Sequence, residues 1–312
     1  MVALSKMAEI LGLLAVGFIV HKLKILPEQT PKVLSGLIAK LFMPCLVMNA
    51  MINNCTPANL AENTPLVLYG GALALISLVC SYPLAALFGG KDRVLKRQYR
   101  YSFAVPNSGA TGLPLAIALG GSLMLFQINL FNLVLSFVTY TWGLMQLIPE
   151  GKGGIRSALR RLLNPILIGL AVGMALGLTG GNEWIPGAFR GVVETLGNCY
   201  VVTAVLLVGY SVAEIDLRVI LGDIRTYLFA ALRLLVIPLV FLGALRLTKA
   251  PAVAASLAVL TYGGPCGMNP IIFATEYGVD EKKMAALLLV TMPLSVVTMP
   301  LLYALAVSLW GG

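Results

Sequence analysis

The sequence predicts an all-α integral membrane protein with ten transmembrane helices, arranged as two inverted five-helix repeats. Only 11% of the 312 residues are charged and 59% are hydrophobic, whereas a soluble domain carries about 25% charged residues. The hydrophobic residues form long blocks nearly free of charge, and a helix needs about 20 apolar residues to cross the hydrocarbon core. Helices are expected because lipid offers no partner to open backbone groups. Barrel strands would alternate in polarity, and these blocks do not.

Ten blocks have a suitable length, and each predicts one helix. The predicted spans are residues 5–21, 33–53, 65–88, 99–120, 122–147, 162–179, 192–213, 226–246, 252–276 and 284–309. The first block is expected to be a retained helix and not a cleaved signal peptide. The positive cluster His21, Lys22 and Lys24 follows that block, whereas a signal peptide carries its positive charge in front.

The basic residues are distributed unevenly between the two sides that ten spans would create. Sixteen of the 22 fall in loops on one side and four on the other. Because cytoplasmic loops are enriched in Lys and Arg, this asymmetry predicts that both termini are extracytoplasmic. The protein is expected in the cell (inner) membrane as a multi-pass protein within the lipid bilayer. The net charge of +9 is therefore interpreted as a topology signal and not as a nucleic-acid surface.

The two halves of the chain show a possible duplication. When the sequence is shifted by half of its 312 residues, helices one to five fall on helices six to ten, and Pro114 meets Pro270. Each half has an odd number of helices, so the second must enter the membrane from the opposite side, as in many secondary transporters. The predicted repeats are residues 1–148 and 162–312, joined by a short cytoplasmic connection at 149–161.

Two blocks break the helix rules at corresponding places, in the fourth and ninth predicted helices. Residues 105–114 and 262–270 each contain two prolines and two or three glycines. Proline removes a backbone donor and clashes with the preceding turn, so neither run is expected to stay a straight helix. Broken helices in both halves indicate a transporter binding site, although two proline kinks that only shape the bundle are the alternative. The expected crossover residues are Pro106, Gly109, Pro265 and Gly267.

The broken helices would expose groups suited to an anion. Half-helices that begin near Gly112 and Met268 would point unpaired N–H groups, with roughly half a positive charge each, at the protein centre. No acidic residue lies near mid-membrane in any block, since Glu276 and Asp280 sit at the cytoplasmic end of the ninth. The alternative is that the Asn side chains only cap the broken helices. The predicted substrate-binding residues are Asn107, Ser108, Thr111, Gly112, Pro114, Met268, Asn269 and Pro270.

Two charged residues lie inside predicted helices. Lys40 and Arg233 are each about eight residues, or about 12 Å by helix rise, from a cytoplasmic helix end. Side chains of this length can snorkel to the interface, which is the favoured interpretation. A role in anion passage or interhelical pairing is the alternative.

No metal site, cofactor or enzymatic centre is predicted. The five cysteines are scattered, without the spacing of a metal site. A membrane enzyme would need a nucleophile–base pair or a metal cluster, and the single histidine lies in a loop. Gly169, Gly173 and Gly177 form a small-residue run that would allow close helix packing, either internally or in a homodimer.

The chain resembles the auxin efflux carrier family of bacterial and plant transporters. The resemblance rests on the runs Asn107 to Leu115, Asn269 to Ala274, Tyr277 to Asp280 and Thr291 to Leu301, and on the pairs Met43-Pro44 and Asn164-Pro165. It covers essentially the whole chain. The short connection between the halves favours a compact bacterial-type member, because the plant carriers have a long hydrophilic loop there.

The resemblance implies a fold and a function. It implies two inverted repeats whose helices four and nine cross at mid-membrane, a scaffold domain of helices 1, 2, 6 and 7, and a transport domain of helices 3–5 and 8–10. The expected activity is secondary transport of a small organic anion, such as malate, malonate or an auxin-like acid, with protons or sodium as candidate coupling ions. A sodium-coupled bile-acid-type symporter or a cation/proton antiporter is the alternative transporter. A receptor or structural membrane protein would not require the doubled helix breaks.

Overall fold

The chain is helical throughout the part that the computed structural model describes, which comprises residues 2–27, 29–148, 163–213, 224–271 and 282–311. Within those ranges six helices are long and apolar enough to cross a membrane, and three further apolar helices are shorter. The prediction of an all-helical membrane protein is confirmed at this level. Ten spans and their inverted arrangement stay predictions, and the 149–161 connection lies outside the described residues.

The helices follow one another with short connections. In chain order they are α1 Val2–Lys22, α2 Thr30–Asn54, α3 Pro57–Gly89, α4 Arg93–Ala104, α5 Gly112–Phe131, α6 Leu133–Leu147, α7 Pro165–Leu178, α8 Gly187–Ala213, α9 Ile224–Leu247, α10 Ala252–Tyr262 and α11 Lys282–Leu309. Three of them contain one π-helical turn: Ile38–Phe42 in α2, Thr139–Gly143 in α6 and Leu232–Val236 in α9.

Side-chain caps fix the starts of several helices. The Asp92 carboxylate accepts hydrogen bonds from the first free N–H groups of α4, and the Asn164 side chain does the same for α7, where Pro165 follows at the first helical position. Helix α3 begins eight residues before the predicted span, because the Thr56 hydroxyl accepts a bond from the N–H of Asn59 and Pro57 opens the first turn.

Gly121 separates the fourth and fifth predicted spans. Its φ of 60° and ψ of −146° interrupt α5, so that α5 consists of two helical segments joined by a kink. A residue with a Cβ atom rarely adopts such a positive φ. The turn occurs where the sequence predicts the boundary, between residues 120 and 122.

The described helices belong to two compact units. The first comprises Met1–Pro65, Leu113–Leu130 and Leu163–Glu214, and the second comprises Leu66–Gly112, Phe131–Leu162 and Ile215–Gly312. Each unit is built from segments that are distant in sequence.

Helices in the first unit pack backbone against backbone. A Cβ atom added to Gly173 of α7 would lie 2.7 Å from the carbonyl oxygen of Met48 in α2, and Gly169 and Gly177 approach the same helix as closely. The glycine run therefore serves internal packing, and a homodimer stays a prediction.

An aromatic cluster holds α4 in the second unit. Phe103 of α4 packs against Phe229 of α9, with ring centroids 4.6 Å apart, and Phe88 of α3 lies against both Tyr99 and Phe103 at 5.4 Å. The guanidinium of Arg97 donates to the carbonyl oxygen of Ile148 at 2.7 Å, just past the carboxyl end of α6. These contacts fix the helix that leads into the first break.

Candidate functional site

The first helix break follows directly from the sequence around Pro106. Helix α4 ends at Ala104, the backbone is non-helical through Thr111, and α5 begins at Gly112. Val105 has φ −112° and ψ 106°, the extended conformation that a following proline imposes. The proline ring also removes the N–H that would continue the helix.

The second break lies at the corresponding run. Helix α10 ends at Tyr262, residues 263–268 are non-helical, and a helical turn starts at Asn269. The turn is described as far as Ile271, and residues 272–281, which include Phe273, Ala274 and the acidic Glu276 and Asp280, lie outside the described residues.

The two interrupted segments contact each other inside the second unit. Pro106 and Cys266 form an isolated antiparallel bridge, and the N–H of Asn107 donates to the carbonyl oxygen of Pro265 at 2.9 Å. A backbone group freed by one break is thus satisfied by the other, as buried backbone requires. Gly264 lies against the same stretch, since its added Cβ would be 3.0 Å from the Asn107 carbonyl oxygen.

Small residues allow this close approach. A Cβ atom on Gly112 would lie 1.9 Å from the carbonyl oxygen of Leu260, so α5 can start only where no side chain intervenes. Gly267 lies against the ring of Tyr101, with its added Cβ 3.2 Å from a ring carbon. Of the predicted crossover residues, Pro106, Pro265 and Gly267 line the contact, and Gly109 lies in the non-helical stretch beside it.

The polar side chains of the two breaks differ in their hydrogen bonds. The Asn269 amide nitrogen donates to the Tyr101 hydroxyl at 2.6 Å. The side chains of Asn107 and Ser108 are half-buried and make no hydrogen bond to a described residue. The Thr111 hydroxyl is buried, and it too has no partner within the described ranges. One break therefore offers unoccupied polar groups, while the other is tied to α4.

The remaining predicted residues have different environments. Met268 is exposed, whereas Pro270 is buried. Pro114 is also buried, but it belongs to the first unit, while the other predicted residues belong to the second.

Two residues at the breaks were not predicted as site residues, although Thr291 begins a run that carries the family resemblance. Tyr101 is buried in α4 and bonds to Asn269, which is 168 residues away in the chain. Thr291 of α11 accepts a bond from the N–H of Cys266 at 3.3 Å and donates to the Leu287 carbonyl oxygen at 2.8 Å. Neither stands out among the Tyr and Thr residues of the apolar blocks.

The two charged residues inside helices behave differently. Lys40 is exposed, as snorkelling requires, but Arg233 is fully buried, so snorkelling is wrong for Arg233. Its guanidinium donates to the carbonyl oxygen of Tyr262, at the end of α10, at 3.3 Å. The π-helical turn Leu232–Val236 includes Arg233, and this turn alters the direction of the side chain relative to a regular helix.

The chemistry of the breaks is that of uncharged hydrogen bonding. Neither 101–115 nor 262–271 contains an acidic residue, and the described residues contain no group of His, Cys, Asp and Glu that could hold a metal ion. Backbone N–H groups, Asn amides and hydroxyl groups can bind a carboxylate, and they supply no nucleophile–base pair.

One comparison with known proteins identifies the family of the chain. A family model described as "Membrane transport protein" matches residues 2–157 and 152–303, which together span nearly the whole chain. The comparison with curated proteins gives no match. Members of the matching family are transporters and not enzymes. The chain therefore belongs to the auxin efflux carrier family of membrane transport proteins, which is the family that its sequence motifs predicted.

Proposed function

We propose that the protein is a secondary active transporter that moves a small organic anion across the cell membrane by alternating access. The expected cargo is a carboxylate such as malate or malonate, or an auxin-like acid. The substrate would bind at the two helix breaks, with Asn107, Ser108, Thr111 and Asn269 as polar contacts, together with backbone N–H groups near Gly112 and Met268.

The observation that carries this proposal is the contact between the two breaks. The N–H of Asn107 donates to the carbonyl oxygen of Pro265, so the two unwound segments lie side by side. Irregular backbone within a membrane is tolerated only where protein or a water-filled cavity surrounds it. In transporters, a pair of broken helices marks the substrate site.

The charge of the site favours an anion. A cation site would use carboxylates or a ring of carbonyl groups, and neither break contains an acidic residue. The start of α5 at Gly112 presents the positive end of a helix dipole. This composition argues against a cation/proton antiporter. A sodium-coupled symporter of bile-acid type is the alternative that the transport experiment must test.

The arrangement in the membrane is part of the same proposal. We infer that both termini are extracytoplasmic, that two inverted repeats form the ten-helix bundle, and that helices 1, 2, 6 and 7 form the scaffold domain. Helices 3–5 and 8–10 would carry the substrate. The uneven distribution of basic residues supports the placement of the termini, and the matching proline positions support the repeats. The division into scaffold and transport helices follows from the family resemblance.

The test is uptake by the purified protein in liposomes. A panel of radiolabelled carboxylates would be offered under imposed pH gradients and, separately, under sodium gradients. We expect the uptake of at least one carboxylate to be saturable and to be inhibited by excess unlabelled substrate.

The controls separate a specific site from leakage. Protein-free liposomes and the Asn107→Ala variant should show little uptake, whereas Asn198→Ala, which removes an exposed amide of α8, should behave as the parent. Uptake of inorganic cations with no carboxylate transport would contradict the proposal. Strict dependence on sodium would favour the bile-acid-type alternative.

A further inference from the structure

Arg233 is a buried charge without an ionic partner in the described residues. Its side chain is fully buried in α9, and its one hydrogen bond to a described residue runs from Nη1 to the Tyr262 carbonyl oxygen. The Nε and Nη2 atoms are buried and have no partner within the part of the chain that the structure describes. A charged residue in a membrane-spanning helix is expensive to bury and is a functional candidate by default.

The group that Arg233 contacts carries the opposite partial charge. Tyr262 is the last residue of α10, and the final carbonyl groups of a helix lack intrahelical partners and carry roughly half a negative charge. Gly263 and Pro265 prevent the helix from continuing, so water or a cation would otherwise have to satisfy these oxygens. The guanidinium supplies both a hydrogen bond and a compensating charge.

The other break is capped differently. Ser77 of α3 donates from its hydroxyl to the carbonyl oxygen of Ala104 at 3.1 Å, at the end of α4. Ser77 precedes Arg233 by half of the 312-residue chain, which is the repeat offset that the sequence predicts. Corresponding positions of the two halves therefore cap the carbonyl ends of the two breaks, one with a neutral hydroxyl and one with a permanent cation.

We propose that Arg233 is a resident cation at the crossing, which is the contact between the two helix breaks. It is a positioning residue that holds the carbonyl end of α10, where a freely bound cation would otherwise be needed. Its charge exceeds the partial charge that it neutralises, so the crossing keeps a net positive potential that favours an anionic substrate. The inference rests on the proposed anion transport, and it adds that no sodium ion is required at this helix end.

The first test varies charge and hydrogen bonding separately. Arg233→Lys keeps the charge, and Arg233→Gln keeps a donor for the Tyr262 carbonyl oxygen but is neutral. We expect parent uptake to be independent of sodium and the Lys variant to retain most of it. The Gln variant should bind the carboxylate about tenfold more weakly, which is the scale of losing a unit charge that acts over roughly 10 Å in an effective dielectric of about 20. A Gln variant that transports as the parent does would overturn the proposal.

The second test does not depend on transport. The melting temperature of purified Arg233→Ala would be measured in detergent with low millimolar guanidinium, sodium or potassium chloride. We expect guanidinium to raise it selectively, because the ion can occupy the vacated position. Arg246→Ala is the matched control, since Arg246 lies on the same helix but is exposed and stacks on Trp310.

The two tests fail in distinguishable ways. If guanidinium stabilises Arg233→Ala no more than Arg246→Ala, the resident-cation role is wrong, whatever the protein transports. If the parent transports no anion but the selective rescue occurs, the proposed function fails and the structural role of Arg233 stands. A parent whose uptake requires sodium would also refute the inference.

Discussion

Replacement of Asn107 by alanine should weaken substrate binding without loss of folding. The Asn107 side chain makes no hydrogen bond to a described residue, and its N–H, which holds the two breaks together, remains after the substitution. The backbone contact to Pro265 is therefore preserved. If the amide donates to a substrate carboxylate, its loss removes about 1.5–3 kcal/mol, which corresponds to an affinity about 10- to 150-fold lower.

The assay is equilibrium binding of radiolabelled carboxylate to purified protein, with melting temperature measured on the same samples. Asn269→Ala is the informative comparison, because its amide also donates to Tyr101. That variant should lose both affinity and stability, whereas Asn107→Ala should lose affinity alone. Asn198→Ala controls for removal of an amide elsewhere. If a well-folded Asn107→Ala protein binds every carboxylate as the parent does, the side chain is not a substrate ligand.

Three further predictions concern stability and topology. Tyr101→Phe should keep the ring packing but lose the bond to the Asn269 amide, which lowers the free energy of unfolding by about 1 kcal/mol; an unchanged melting temperature would count against that bond. Gly112→Ala should lower the free energy of unfolding by about 1–3 kcal/mol, because its Cβ would meet a carbonyl oxygen. The control Gly243→Ala, whose Cβ would lie in open space within α9, should raise it by up to about 1 kcal/mol. Equal changes in the two variants would refute the close approach at Gly112. A reporter that works only outside the cytoplasm should be active when it is fused after Gly312, as the distribution of basic residues predicts. Activity of a reporter that works only in the cytoplasm would contradict this topology.

Features set by local chemistry could be predicted from the sequence. Proline lacks an N–H in any environment, so Pro106 and Pro265 predict interruptions, and α4 and α10 end just before them. The limits of the hydrophobic blocks 99–120 and 122–147 likewise predicted a boundary at Gly121, where the backbone adopts a positive φ. These inferences needed no knowledge of neighbouring helices.

Features set by the rotation and register of distant helices could not be predicted. Tyr101 meets Asn269 only because α4 and the second break lie side by side, and no local pattern encodes that pairing. For Arg233, distance from the helix end suggested snorkelling. The depth of a residue in the membrane does not give the direction in which its side chain leaves the helix. In α9 the π-helical turn changes that direction for Arg233.

The bond between Asn107 and Pro265 has a consequence for synthesis of the protein. The acceptor lies about 160 residues after the donor, so at about 5–20 residues per second the ribosome needs roughly ten to thirty seconds to supply it. If the first break lies at membrane depth, as proposed, its backbone N–H would be free during that interval, and lipid cannot satisfy it. The N-terminal half therefore needs the insertion machinery, or a water-filled cleft, to shelter this segment until the second half arrives. In a ribosome-bound nascent chain that ends before residue 265, a cysteine introduced in place of Val105 should react with a water-soluble thiol reagent. The same cysteine should be protected in the completed protein, where Val105 is buried.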